Sequence, residues 1–146
     1  MAEAALLTVL IPLAAAVIAW MLPRMAAAVG LAAAAGVVAA VAAVTLGVAA
    51  QGPVDLVAGA WPTGLGIRIW VDGAGVVFLL ASALVGLAAT VHGHGYFARG
   101  TGFWTLWLLL WAALNGVFVT GDAFNAYVAL QLAGLAAAAL VTLDGS

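Results

Sequence analysis

The chain has 146 residues, of which 68% are hydrophobic and only 5% charged, with no lysine and no cysteine. A soluble domain carries about 25% charged residues, so this composition excludes a water-facing globule and implies an integral membrane protein. A net charge of −2 excludes a nucleic-acid partner, and the lack of cysteine excludes disulfides, thiolate metal sites and iron–sulfur ligation.

Five apolar runs predict an all-α membrane fold within one transmembrane domain over residues 1–146. The first, about Ala5–Leu22, follows Met1-Ala-Glu-Ala-Ala-Leu-Leu7, which has Glu3 in place of the basic start of a signal peptide. It is therefore read as a retained helix, ended by Pro23-Arg24. Helix 2 is expected over about Met25–Ala50, ended by Gln51-Gly52-Pro53. Helix 3 is expected over about Asp72–Val91, helix 4 over Phe103–Val119 and helix 5 over Asp122–Leu143. Each reaches the roughly 17–25 residues that a span requires. Thr120-Gly121 leaves so short a turn that helices 4 and 5 must be antiparallel neighbours.

The 51–71 loop differs from the rest. Leu65, Ile67, Ile69 and Val71 alternate with other residues at period two, which is a strand pattern. Val54-Asp-Leu-Val57 is the candidate partner strand, and Trp61-Pro-Thr-Gly64 supplies turn residues. A short outer β-hairpin or extended loop is expected. Arg24 and Arg99 fall on one side of the membrane and Arg68 on the other. The positive-inside rule then places the C-terminus in the cytoplasm, and the N-terminus and the 51–71 loop outside, in a multi-pass protein of the cell inner (plasma) membrane. The Ala-, Val- and Gly-rich helix 2 and Ala136–Ala139 of helix 5 are read as surfaces for close helix packing.

The residues that bear on function are few. Asp122 and Asn125 open helix 5, as an N-cap or as the polar entrance of a hydrated path. Gln131 lies nine residues further on, roughly 13–14 Å along the axis and hence near the midplane of a core about 30 Å thick. It shares a face with Phe124, Tyr127 and Leu135, and Asp122 points the opposite way. Its amide is read as an interhelical hydrogen bond or as a station on an ion path, where it can orient water but not titrate. Asn115 is a buried amide of helix 4 within reach of Asn125 or Gln131. His92 and His94 are placed in an inner loop, His92–Gly102, as candidate proton-collecting groups without the companions a metal site needs. Trp104 fits the aromatic belt; Trp111 is assigned to lipid or a neighbouring protein chain, with Trp107 between them and a quinone-facing stripe as the sharper reading. Arg68 is read as a solvated or interface arginine. No metal and no cofactor is implied: no motif for flavin, haem or iron–sulfur occurs.

Taken in order, Gly66-Ile-Arg-Ile-Trp-Val-Asp72-Gly, Tyr96-Phe97 and Asn115-Gly-Val-Phe-Val-Thr-Gly121-Asp122-Ala-Phe124-Asn125-Ala-Tyr127-Val resemble the antiporter-like subunits of Mrp cation/proton antiporters and respiratory complex I. The resemblance is nearest to the D-type subunits of Mrp antiporters, covers the whole chain, and matches the N-terminal five-helix part of those far longer proteins. It implies that helix 5 normally carries a glutamate where this chain has Gln131, working with a lysine on a later helix. It also implies a membrane subunit of a cation/proton-translocating assembly, a short or split one, with other membrane subunits, lipids, and protons or sodium ions as partners. The alternative is a non-conducting subunit that packs helices or lipids within a larger complex. A third class is the membrane part of a redox enzyme, NADH-quinone oxidoreductase-like or hydrogenase-like, with no catalytic site of its own.

Overall fold

The structure, a computed structural model, describes residues 1–58, 67–97 and 102–143. Its elements are α1 (Ala2–Met21), a 3-10 turn (Pro23–Met25), α2 (Ala26–Gln51), β1 (Val54–Ala58), β2 (Ile67–Val71), α3 (Gly73–Tyr96), α4 (Phe103–Val119) and α5 (Ala123–Thr142). Among the described residues four helices are long and apolar enough to cross a membrane, and α4, with 17 residues, is a shorter apolar fifth. At about 1.5 Å per residue α4 still spans roughly 25 Å, close to the core thickness.

The boundaries follow local chemistry. Pro23 has no amide hydrogen and starts the 3-10 turn that separates α1 from α2. Gly52, at φ 87°, ends α2 in backbone space that other residues avoid. Asp72 caps α3 by accepting from the Gly75 amide at 2.9 Å, and Asp122 caps α5 by accepting from the Phe124 amide at 2.8 Å. Helix α3 runs through Tyr96 rather than stopping near Val91, because nothing in Val91–Gly95 removes an amide or forces a turn. His92 and His94 are thus helical, and the inner loop expected from His92 onward is shorter.

Helices α1 to α4 form a square in which each packs on the next, α1 on α2, α2 on α3, α3 on α4, and α4 back on α1. Helix α5 lies outside this square, against α4. Small residues make the square close. Gly30 receives the Trp104 ring, and a methyl at Gly30 would come within 2.6 Å of it. Gly86 receives Trp111 in the same way. Along α2 the buried face is Gly30, Ala33, Ala34, Val37, Val41 and Val44, a stripe that lets backbones approach.

The hairpin pairs Val54 with Val71 and Leu56 with Ile69 in antiparallel register. Val54, Ile69 and Val71 are buried, and Asp55 and Arg68 share the outer face. The turn expected at Trp61-Pro-Thr-Gly64 lies outside the described residues, as does Arg99. The hairpin touches α1, α3 and α4, at the end of the bundle where α3 and α5 begin. Arg24 follows α1 at the opposite end.

Candidate functional site

The hairpin reaches the start of α5 directly. Ile69 bridges Thr120, and the Gly121 amide donates to the Arg68 carbonyl at 2.8 Å. The free edge of β2 is thereby taken up by the α4–α5 turn. Gly121 is required by this contact, because a Cβ there would stand 2.7 Å from Trp70 Cβ. Arg68 lies over the Trp70 ring, with its guanidinium carbon 5.2 Å from the centroid, and donates to both carboxylate oxygens of Asp55 at 3.0 and 2.9 Å. The paired guanidinium holds the Asp55 carboxyl below the usual carboxylate range, and the carboxylate raises Arg68 in return. Arg68 is an ion-paired strand residue on the exposed side of the sheet.

Below this roof, Asp122 is engaged on both oxygens. Oδ1 takes the Phe124 amide, and Oδ2 accepts from Asn125 Nδ2 at 3.0 Å. Both readings of these residues rest on one geometry: a helix cap whose second carboxylate oxygen turns the Asn125 amide. Asn125 also borders a cleft of about 430 Å³ between α1, α4 and α5, roofed by β2. The cleft floor is small, with Ala112, Ala113 and Gly116, and its polar lining lies at the roof end, in Arg68, Thr120 and Asn125.

Gln131 is apart from this cluster. It is exposed on a stripe of α5 with Phe124, Tyr127 and Leu135, which are 71%, 61% and 70% exposed. It makes no hydrogen bond with the described residues. The structure therefore brings Asp122 and Asn125 together and turns Gln131 to the outer face of α5, away from the square.

Asn115 is fully buried and joins neither Asn125 nor Gln131, contrary to the expectation from proximity across the turn. Its Oδ1 accepts from Ser82 Oγ at 2.7 Å, and its Nδ2 donates to the Thr8 carbonyl at 2.8 Å. Helix rotation explains the difference: Asn115 lies on the side of α4 that meets α1 and α3. Trp111 also turns inward, 1% exposed, and donates Nε1 to Ser82 Oγ at 3.0 Å, so it packs on neither lipid nor a neighbouring chain. Trp107 donates to Thr90 Oγ1 at 2.9 Å. Trp104 is wholly buried over Gly30 rather than in a belt, and its Nε1 is the buried polar side-chain atom left unpartnered among the described residues. The tryptophans consequently form no outward stripe for a quinone. His92 stacks on Tyr96 at 5.0 Å, and His92 and His94 are both exposed at the end of α3 opposite the hairpin. Among the described residues no three His, Asp or Glu side chains converge as metal ligands.

Ser82, Thr8 and Pro12 do not stand out as site residues along the chain. A signal is present for the last two: Pro12 follows Thr8 by four residues and leaves its carbonyl without the helical donor.

No family model matches the chain. It is 38% identical over 90 residues to the N-type subunit of NADH-quinone oxidoreductase from Desulforudis audaxviator (strain MP104C), covering 58% of this chain and 18% of that protein. It is 36% identical over 89 residues to the D-type subunit of a probable K(+)/H(+) antiporter from Rhizobium meliloti (strain 1021), covering 60% of this chain and 16% of that one. The fold matches a chain of the Mrp complex from Dietzia sp. DQ12-45-1b with a TM-score of 0.81 and 25% identity, over 93% of this chain and 27% of that one. It also matches a chain of the membrane-bound sulfane sulfur reductase, an archaeal respiratory membrane complex, with a TM-score of 0.81 and 21% identity, over 92% of this chain and 29% of that one. The match takes in less than a fifth of each of these two curated relatives. The chain is thus similar in sequence, over about 90 residues, to the N-type subunit of a NADH-quinone oxidoreductase and the D-type subunit of a probable antiporter, and similar in fold to part of a chain in each of two membrane complexes.

Proposed function

We propose that these five helices, a single transmembrane unit, serve within a membrane subunit of a cation/proton-translocating assembly of the Mrp or complex I kind. The remaining helices of that subunit, on this or another chain, would pack against the outer face of α5. The observation that carries this reading is the aim of Gln131. An amide near the midplane costs free energy in lipid unless it finds a partner, and this one faces away from the four-helix square on an exposed stripe. A protein surface that supplies hydrogen-bonding groups at that depth answers the need.

In this reading Asp122 and Asn125 form the polar entrance at the hairpin end. Gln131 is a hydrogen-bonding station that orients water or a neighbouring side chain without exchanging a proton. His92 and His94, at the other end, collect protons. The membrane is the inner (plasma) membrane, with the N-terminus and hairpin outside and the C-terminus cytoplasmic; Arg24, at the end opposite the hairpin, supports this orientation. Other membrane subunits, lipids, and protons or sodium ions are the partners.

A second reading is favoured by the same residue. Gln131 cannot titrate, and among the described residues the polar side chains bonded inside the square are neutral. The unit would then hold helices or lipids in a larger complex without conducting. Ion transport by the purified native complex in vesicles separates the two readings. Asp122→Asn lowering transport, or Gln131→Glu changing its rate or pH profile, supports a conducting role. Unchanged transport in both variants, with loss of the assembly on deleting the chain, removes that role and leaves the structural one.

A further inference from the structure

A hydrogen-bond chain, buried at its α1 end and part-buried at Ser82, crosses three helices. Pro12 is fully buried in α1 and has no amide hydrogen, so the carbonyl four residues earlier, Thr8, lacks its helical donor. The Thr8 side chain does not help, because its hydroxyl donates to the Ala5 carbonyl at 2.7 Å. An unpaired carbonyl in a dry membrane interior is costly. The donor comes from α4: Asn115 Nδ2 stands 2.8 Å from the Thr8 oxygen.

The direction of each bond in the chain is forced by chemistry. The Thr8 carbonyl only accepts, so the amide nitrogen of Asn115 must face it. Asn115 Oδ1 only accepts, so the Ser82 hydroxyl at 2.7 Å must donate to it. That leaves the Ser82 oxygen to accept from Trp111 Nε1, which only donates, at 3.0 Å. Trp111 in turn rests on Gly86, where any side chain would displace it. No orientation is left free.

We propose that Asn115 is a lock on α1: from α4 its carboxamide supplies the hydrogen bond that Pro12 withholds from the Thr8 carbonyl, and thereby sets where α1 sits against α4. Asn115 is a positioning residue for the bundle, held in place by Ser82 and Trp111. The lock stands whether or not the assembly conducts ions.

The lock predicts a specific coupling. Pro12→Ala restores an amide donor to the Thr8 carbonyl from within α1, so the bond from Asn115 becomes dispensable. In the complex purified from membranes, Asn115→Leu lowers the thermal midpoint by roughly 5 °C when Pro12 is present. In the Pro12→Ala background the same change lowers it by less than half as much; the residual loss belongs to Ser82 and Trp111. Equal falls in the two backgrounds overturn the lock. Should Asn115→Leu prevent assembly, recovery of assembled complex in the double variant supports the lock, and failure to recover overturns it. Thr8→Ala keeps the carbonyl and leaves the coupling intact; a coupling that disappears in Thr8→Ala assigns the effect to the hydroxyl and overturns the proposal as well.

Discussion

Helices α4 and α5 are adjacent, antiparallel and similarly apolar, yet they solve opposite problems. Seven of the seventeen residues of α4 are buried, against two of twenty in α5, so α4 is the wall shared with the square and α5 is a face still to be covered. Asn115 of α4 and Gln131 of α5 are both side-chain amides on apolar helices. Asn115 in α4 has partners at 2.7 and 2.8 Å inside the bundle, and Gln131 in α5 faces outward. The same functional group is therefore cement in one helix and an open valence in the other. Composition does not separate them; the direction in which each helix buries its surface does.

The contrast can be broken at either helix, and the largest effect belongs to α4. Trp111→Ala removes a buried ring and leaves the Ser82 oxygen without its donor, and is expected to cost about 3–5 kcal/mol, read as loss of folded subunit in solubilised membranes. Next is the turn between the helices. Gly121→Ala pushes a methyl against Trp70 Cβ, and a fall of about 1–3 kcal/mol is expected. Weakened pairing of Gly121 with the Arg68 carbonyl, measured as faster amide exchange at Gly121, is the accompanying sign.

A smaller effect is pH-dependent and lies at the membrane surface. The Gly75 amide holds the Asp72 carboxyl below the usual carboxylate range. A carboxylate lowered in the folded state stabilises it above its unfolded pKa, near 4, and that contribution disappears as pH falls through the lowered folded value. Amide exchange at Gly75 is expected to accelerate below about pH 4, and Asp72→Asn, which still caps, flattens the response. The smallest effect sharpens the comparison at α5. Gln131→Ala removes no bond within these five helices, so it is expected to change their stability by less than about 0.5 kcal/mol. Dissociation of a partner helix or a drop in transport then marks what Gln131 meets outside; a loss of several kcal/mol in the five-helix unit itself contradicts its outward aim.

Much of the architecture was legible along the chain. The apolar runs announced five helices, because a span must satisfy its backbone internally and so needs an uninterrupted helix of a certain length. Period-two alternation announced β2, because one face of the strand is covered by helix ends and the other is wet. The cap at Asp122 was legible because it is made within three residues. The partners of Asn115, the burial of Trp104 and Trp111, and the helical placement of His92 and His94 were not. Each depends on how an almost uniformly apolar helix is rotated or extended, and in a membrane sequence no polar stripe records that.

What the amino-acid sequence determined by itself was the medium, the run of apolar helices and the hairpin, since all of these follow from hydrophobicity, length and local hydrogen bonding. Which amide was satisfied and which remained outward was decided only by tertiary structure. Small residues, Gly30 and Gly86, admitted two indoles, and Pro12 freed one carbonyl. Close packing around those gaps turned Asn115 inward and left Gln131 facing out.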